Sequence, residues 1–262
     1  MDLGLQGRHV LLSGASGMLG AVAARALAAE GAALTLLGRN PTALEPLVAA
    51  VRTAGAARCS ALECDLALAS SVDAAVAAAE SAHGPIDVLV AAAGAAQGGV
   101  FWEIDDDAWQ RNLEAKLFGT IRLLRAVAPR MVARRAGRIV AVVGNSARQP
   151  EPRMLPGAVA NAGLLALVRG LAEELGPHGV AINALNPGPV RSPRWDTMMA
   201  AAAARAGGTP AEAEAAFLQK TALRRLATAE EVAQHVAFLA SPRAAHMTGT
   251  AVTVDGGSTK SI

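Results

Sequence analysis

Three glycines at intervals of three residues are the first feature of this chain able to do chemistry. Ser13-Gly14-Ala15-Ser16-Gly17-Met18-Leu19-Gly20 follows the apolar run His9-Val10-Leu11-Leu12 and leads into a helical pattern that Gly31 ends. Glycines there permit a tight turn and close backbone approach, and the free N–H groups of a helix start attract phosphate oxygens. Ser13, Gly14, Ser16, Gly17 and Gly20 therefore read as a dinucleotide-binding loop, the plain alternative being a tight strand-to-helix turn. The acidic residue that would hold a ribose about 20 residues further on is replaced by Gly38-Arg39. A guanidinium there pairs with a 2′-phosphate, so the expected cofactor is NADP, with NAD second; a solvated strand-end arginine is the alternative.

Residue types narrow the remaining chemistry. The chain has no tyrosine, so no phenol can act as a general acid. Its five histidines lack metal-ligand spacing, and no metal is expected. No Gly-x-Ser-x-Gly elbow or Ser/His/Asp set supports hydrolysis. Asn145 and Ser146 follow an apolar run and are placed to polarise a carbonyl, though both are also common turn residues. Cys59 and Cys64 read as lying in one strand, about 16 Å apart and too far to bridge.

Positioning such residues requires a frame, and the pattern supplies one. Apolar strand-like runs at residues 9–12, 33–37, 58–64, 86–90, 138–143, 180–185 and 251–254 alternate with helical segments at 19–30, 107–133 and 158–175. Thr228 with Glu231 forms a capping box that opens a further helix, ending before Ser241-Pro242. Alternation of this kind predicts an α/β fold, a single doubly wound Rossmann-type domain over residues 1–262. Its seven-stranded parallel sheet would carry helices on both faces. The least regular stretch, about 187–221, is expected to be a substrate lid, with Met154, Leu155, Trp195, Met198 and Met199 at its mouth or in the core.

Beyond the loop, Cys64-Asp65-Leu66, Leu89-Val90-Ala91-Ala92-Ala93-Gly94, Gly137-Arg138-Ile139-Val140, Asn186-Pro187-Gly188-Pro189-Val190 and Thr248-Gly249 through Gly256-Gly257 complete a pattern. Together they resemble the short-chain dehydrogenase/reductase family over nearly the whole chain. The resemblance implies that Asp65 and Leu66 lie by the adenine, that Gly94 borders the cofactor, and that Pro187, Gly188 and Val190 face the nicotinamide. Departures accompany it. Met18 stands where the ordinary pattern has a glycine, while Gly14, Gly17 and Gly20 match the spacing of the extended branch of the family. Ala91 and Ala92 replace two asparagines. The family's catalytic Asn, Ser, Tyr and Lys fall on Lys116, Gly144, Gly157 and Asn161, so all four are changed and the Asn and Lys positions are exchanged. A sub-branch with a similar exchange has its Tyr three residues earlier, where this chain has Met154. Lys116 thus reads either as an active-site cation reaching the pocket from the opposite wall or as a solvated helix residue. If the first holds, Lys116, with Asn145, Ser146 and Asn161, is the proton source.

The resemblance implies an NADP-binding oxidoreductase acting on a small or medium carbonyl or alcohol. The rivals are an inactive subunit partnering an active paralogue and non-redox chemistry on the same scaffold. A charge balance of 24 Lys plus Arg against 22 Asp plus Glu argues against nucleic acid as a partner. Apolar stretches broken by Arg, Glu or Gly lead us to expect no membrane span, and two cysteines fit a reduced, cytoplasmic setting. Apolar helices near 113–127 and 158–175 lead to the expectation of a homodimer or homotetramer. A hetero-oligomer with an active paralogue is the alternative.

Overall fold

Seven strands pair side by side in parallel: β1 (His9–Ser13), β2 (Ala33–Gly38), β3 (Arg58–Glu63), β4 (Val88–Ala91), β5 (Gly137–Val142), β6 (Val180–Pro187) and β7 (Ala251–Val254). Their order across the sheet is β3-β2-β1-β4-β5-β6-β7. The structure is a computed structural model describing residues 2–94 and 98–260. Helices α1 (Met18–Ala29), α2 (Glu45–Thr53), α3 (Ala69–His83), α4 (Asp106–Leu113), α5 (Gly119–Arg134), α6 (Leu155–Leu175), α7 (Pro193–Ala206), α8 (Pro210–Leu218) and α9 (Ala229–Ala240) connect or flank them.

Successive strand side chains enter opposite cores. Val10, Leu12, Leu34, Leu36, Val88 and Val90 pack with α1, α2 and α9, whereas Leu11, Leu37, Leu89, Ile139 and Ile182 pack with α3, α5 and α6. Burial on both faces is why the inner strands β1, β2 and β4 read as near-continuous apolar runs instead of alternating ones. The expected doubly wound α/β fold is therefore present, with shifted boundaries: the fourth strand runs Val88–Ala91 and the sixth continues through Pro187. Cys64 falls just beyond β3; it and Cys59 are buried free thiols, which burial raises to about 11.

Two expectations need correction. The stretch expected to be least regular holds α7 and α8, each started by a side-chain cap, Ser192 for α7 and a Thr209/Glu212 capping box for α8. The two helices share a small core of Trp195, Met199 and Leu226, with Phe217 packed against it. Trp195 and Met199 are thus interior residues of this pair and not the mouth of a pocket. The second correction concerns α6. Residues Leu155–His178 have the length and a mean hydropathy of 1.4 that fit a membrane span, against the expectation of none. The helix instead meets its apolar needs on the sheet, where Leu164, Val168, Ala172 and Leu175 are buried.

A buried imidazole, His9, with half-buried His83 beside it, ties the foot of the sheet together. His9 Nδ1 lies 2.7 Å from the Gly84 carbonyl oxygen, to which it donates, and Nε2 lies 2.9 Å from Thr35 Oγ1. The His83 ring stands edge-on to it at 5.5 Å. Burial lowers the pKa of both rings below 6.5. Below pH 6.5 the unfolded chain binds protons that the folded chain resists, so stability falls until the folded pKa is passed. Urea midpoints measured near pH 7.5 and about pH 5.5 should drop in the wild type and drop less in His9→Gln. Equal drops would show that the imidazole contributes nothing.

Candidate active site

Where β1 lies between β2 and β4, the strand order reverses, and the loops leaving the sheet part to open a crevice. The crevice has a volume of about 580 Å³ and is walled by the turns after four successive strands of the order. Ser13, Gly14, Ser16 and Gly17 come from the end of β1, Arg39 from beyond β2, Asp65 and Leu66 from beyond β3, and Gly94 from beyond β4. Eight of the twelve expected cofactor-binding residues are therefore brought together. Gly20, Pro187, Gly188 and Val190 do not line the crevice. Gly20 is buried beneath the loop, and Gly188 packs against Asp255 beside β7.

Crowding explains the glycines. A Cβ on Gly14 would lie 2.6 Å from the Ala92 backbone, and one on Gly20 would lie 2.1 Å from the Gly14 carbonyl oxygen. Gly14 also has φ +76°, a left-handed conformation. The Ser13 hydroxyl is buried among these turns with no hydrogen-bond partner among the described residues. A backbone cradle kept bare of side chains, an unpaired hydroxyl and the N-terminus of α1 together fit a dinucleotide pyrophosphate. Arg39 is exposed at the crevice edge, free of the backbone crowding around the glycines.

Lys116 sits in a π-turn, Glu114–Phe118, that interrupts the single helix expected over residues 107–133. Such single-turn π insertions are rare and re-aim side chains. Glu114 Oε1 meets Arg122 Nη1 at 2.6 Å, and the same nitrogen donates to the Leu66 carbonyl at 3.0 Å, fastening the turn to the crevice wall. The lysine stem lies against Gly94, where a Cβ would be 2.8 Å from its Cδ. Its Nζ donates to the Val143 carbonyl at 2.6 Å. Burial, with like charge from Arg194 on α7, pushes the Lys116 ammonium down to about 8. Lys116 is half-buried, with its head on the Val143 carbonyl instead of standing free in solvent.

Asn161 is buried on α6 and shares no hydrogen bond with Lys116; its Nδ2 donates instead to Ser146 Oγ at 2.8 Å. The two are linked through the Val143–Gly144 peptide, which Lys116 meets and Asn161 flanks. Asn145 Nδ2 donates to Ser258 Oγ at 3.1 Å, so the segment after β7 braces this turn. Sequence reasoning missed Arg111, which also lines the crevice. Its place four residues before Ala115, another lining residue, is the helical spacing that would have found it. No sequence signal marked the π-turn or the Val143 carbonyl. Among the described residues no three His, Cys, Asp or Glu side chains cluster to hold a metal.

A family model described as Enoyl-(Acyl carrier protein) reductase matches residues 14–259. The chain belongs to the short-chain dehydrogenase/reductase family. It is 39% identical over 252 residues to the short-chain reductase protein NovJ of Streptomyces niveus, covering 94% of this chain and 92% of that protein. The fold superposes with a TM-score of 0.92 on L-sorbose reductase from Gluconobacter frateurii, solved with NADPH and L-sorbose, at 30% identity over the whole of both chains. An NAD+-bound xylitol dehydrogenase matches at 0.91 and 28% identity, over 97% of this chain and 99% of that one. Members of this family thus share the frame while differing in cofactor.

The crowding makes a test independent of any ligand. Gly20→Ala should destabilise the protein by about 1–3 kcal/mol, because the added methyl meets backbone. Gly170→Ala, at an open position on α6 with nothing within 4 Å of the new methyl, should be neutral or stabilising by up to about 1 kcal/mol. Denaturant unfolding of the two variants beside wild type checks both signs.

Proposed function

We propose that this protein is an NADP(H)-dependent oxidoreductase of small or medium carbonyl or alcohol substrates, with Lys116 as its proton donor. The carrying observation is the position of that side chain: its stem lies against crevice-lining Gly94, its ammonium has a backbone carbonyl as acceptor, and burial pushes it down to about 8. A general acid works best when its pKa lies near the operating pH, and in a chain without tyrosine this group meets that requirement.

In this reading the glycine loop after β1 holds the pyrophosphate, Asp65 and Leu66 flank the adenosine, and Arg39 pairs with the 2′-phosphate. Bound there, NADPH supplies hydride to the carbonyl carbon. Lys116 gives its proton to the carbonyl oxygen. Ser146 accepts a hydrogen bond from Asn161, which leaves the serine hydroxyl hydrogen to polarise the same oxygen. Asn145, held by Ser258, keeps the turn in place. Half-buried Met154 and Leu155 give the substrate an apolar wall. Exposed Phe118 and Val159, from the π-turn and α6, are the apolar face of a homodimer or homotetramer, which light scattering would report. A non-catalytic subunit is the second reading, favoured by Gly144 and Gly157 standing at two of the family's catalytic positions.

Lys116→Met should lower turnover by about 10²–10⁴-fold. Because reduction requires the protonated amine, its rate should fall as pH rises through about 8, and oxidation should rise over the same range. A pH profile flat through that range in both directions would exclude the role. Arg39→Gln should weaken NADPH by about tenfold or more, or 1.4 kcal/mol, with NADH unchanged in fluorescence titration. Equal weakening of both would remove the 2′-phosphate contact.

A further inference from the structure

We infer that Gly144 is a positioning residue: through its peptide bond to Val143 it holds the Lys116 amine at the site, an arrangement that only glycine at this place permits. The inference deepens the proposed function and rests on Lys116 as the proton donor.

Four interactions meet at this one peptide and the residue after it. The Val143 carbonyl accepts from Lys116 Nζ at 2.6 Å, and the Gly144 N–H points the other way, to Asn186 Oδ1 at 3.4 Å. The Gly144 carbonyl accepts from Ala147 N–H at 3.2 Å, closing the turn that carries Asn145 and Ser146. Across its Cα lies the buried Asn161 carboxamide, whose Nδ2 would stand 3.0 Å from any Cβ added there. Gly144 has φ +136° and ψ +148°, a conformation closed to L side chains. A side chain at 144 would therefore do two things. It would force φ back to negative values, turning the 143–144 peptide, and it would push on Asn161.

Lysine is sensitive to that turn because its stem is long and flexible and its head donates to this carbonyl, its one acceptor among the described residues. Arg194 of α7 is the charged group facing it from another element, and on its own helix Glu114 is engaged by Arg122. Among the described residues no carboxylate contributes to the charge balance at this ammonium. Losing the carbonyl lets the head swing to water, where its pKa returns toward 10.5.

The test uses the full-length protein without substrate. Lys116, Lys220 and Lys260 are the lysines of the chain, so acetylation by limiting acetic anhydride across a pH series, read by peptide mass spectrometry, follows Lys116 with two internal references. Wild-type Lys116 should show a midpoint near 8. Gly144→Ala should raise it by about one unit or more, move the alkaline limb of the reduction profile by the same amount, and lower kcat about tenfold with little change in KM. Asn186→Ala, which releases the other end of the peptide without backbone strain, should shift the midpoint in the same direction and decides the matter if Gly144→Ala does not fold. A folded variant with the Lys116 midpoint unmoved overturns the inference. Lys116→Met with full turnover would instead overturn the proton-donor reading, while the labelling midpoints still report whether Gly144 holds the amine.

Discussion

Close backbone approach between the turn after β1 and the end of β4 is the constraint on which the site depends. Gly14 meets Ala92 with no room for a Cβ, and Gly20 meets Gly14 in turn. With β1 and β4 adjacent at the reversal of strand order, this contact brings the glycine loop and the β4 turn together in the lining of one crevice. The β4 turn then continues to Gly94, which takes the stem of Lys116. A side chain at Gly14 would separate the walls, and with them the crevice and the amine.

The amine itself is held at a cost. Removing an ammonium from water is unfavourable unless acceptors replace the lost hydration, and Lys116 has one backbone carbonyl and a like charge nearby. The outcome is the lowered pKa, and an amine that changes protonation near pH 8 is within reach of what a proton carrier requires. An arginine in the same place could not play this part, since its guanidinium does not give up a proton in this range. The π-turn contributes by aiming the residue: it alters the helical phase between α4 and α5 at the one turn that faces both Gly94 and Val143.

Sequence and structure agree where burial is two-sided and local signals are strong. The inner strands β1, β2, β4, β5 and β6 follow their apolar runs because they are covered on both faces, while the edge strands β3 and β7 are only partly covered, and the Thr228/Glu231 box opens α9. Disagreement arose where long-range contacts decide. The α7–α8 segment has caps legible in Ser192 and in Thr209/Glu212, but its Ala-rich helices show little apolar stripe. What orders them is Trp195 against Phe217 at 4.8 Å, and Glu214 accepting from both Arg191 and Trp195. Lys116 and Asn161 were picked out by position, yet their partners are a carbonyl and a hydroxyl from another loop. Spacing along the chain carries no trace of either contact.

On the proposed reading a cationic acid does the work of a neutral one, which changes the energetics of proton transfer. When a phenol protonates an alkoxide, one anion replaces another, and the number of charged groups in the site is unchanged. When an ammonium does so, a cation and an anion become two neutral groups. In a poorly solvated site, neutral products are favoured over a separated charge pair except where the pair is tightly held. The Lys116 ammonium, desolvated and repelled by Arg194, is already biased toward releasing its proton. On the proposed reading, the same burial that lowers its pKa makes proton delivery easier than proton recovery. Carbonyl reduction is then the direction in which this rebuilt site works with its electrostatics, and alcohol oxidation the direction in which it must work against them.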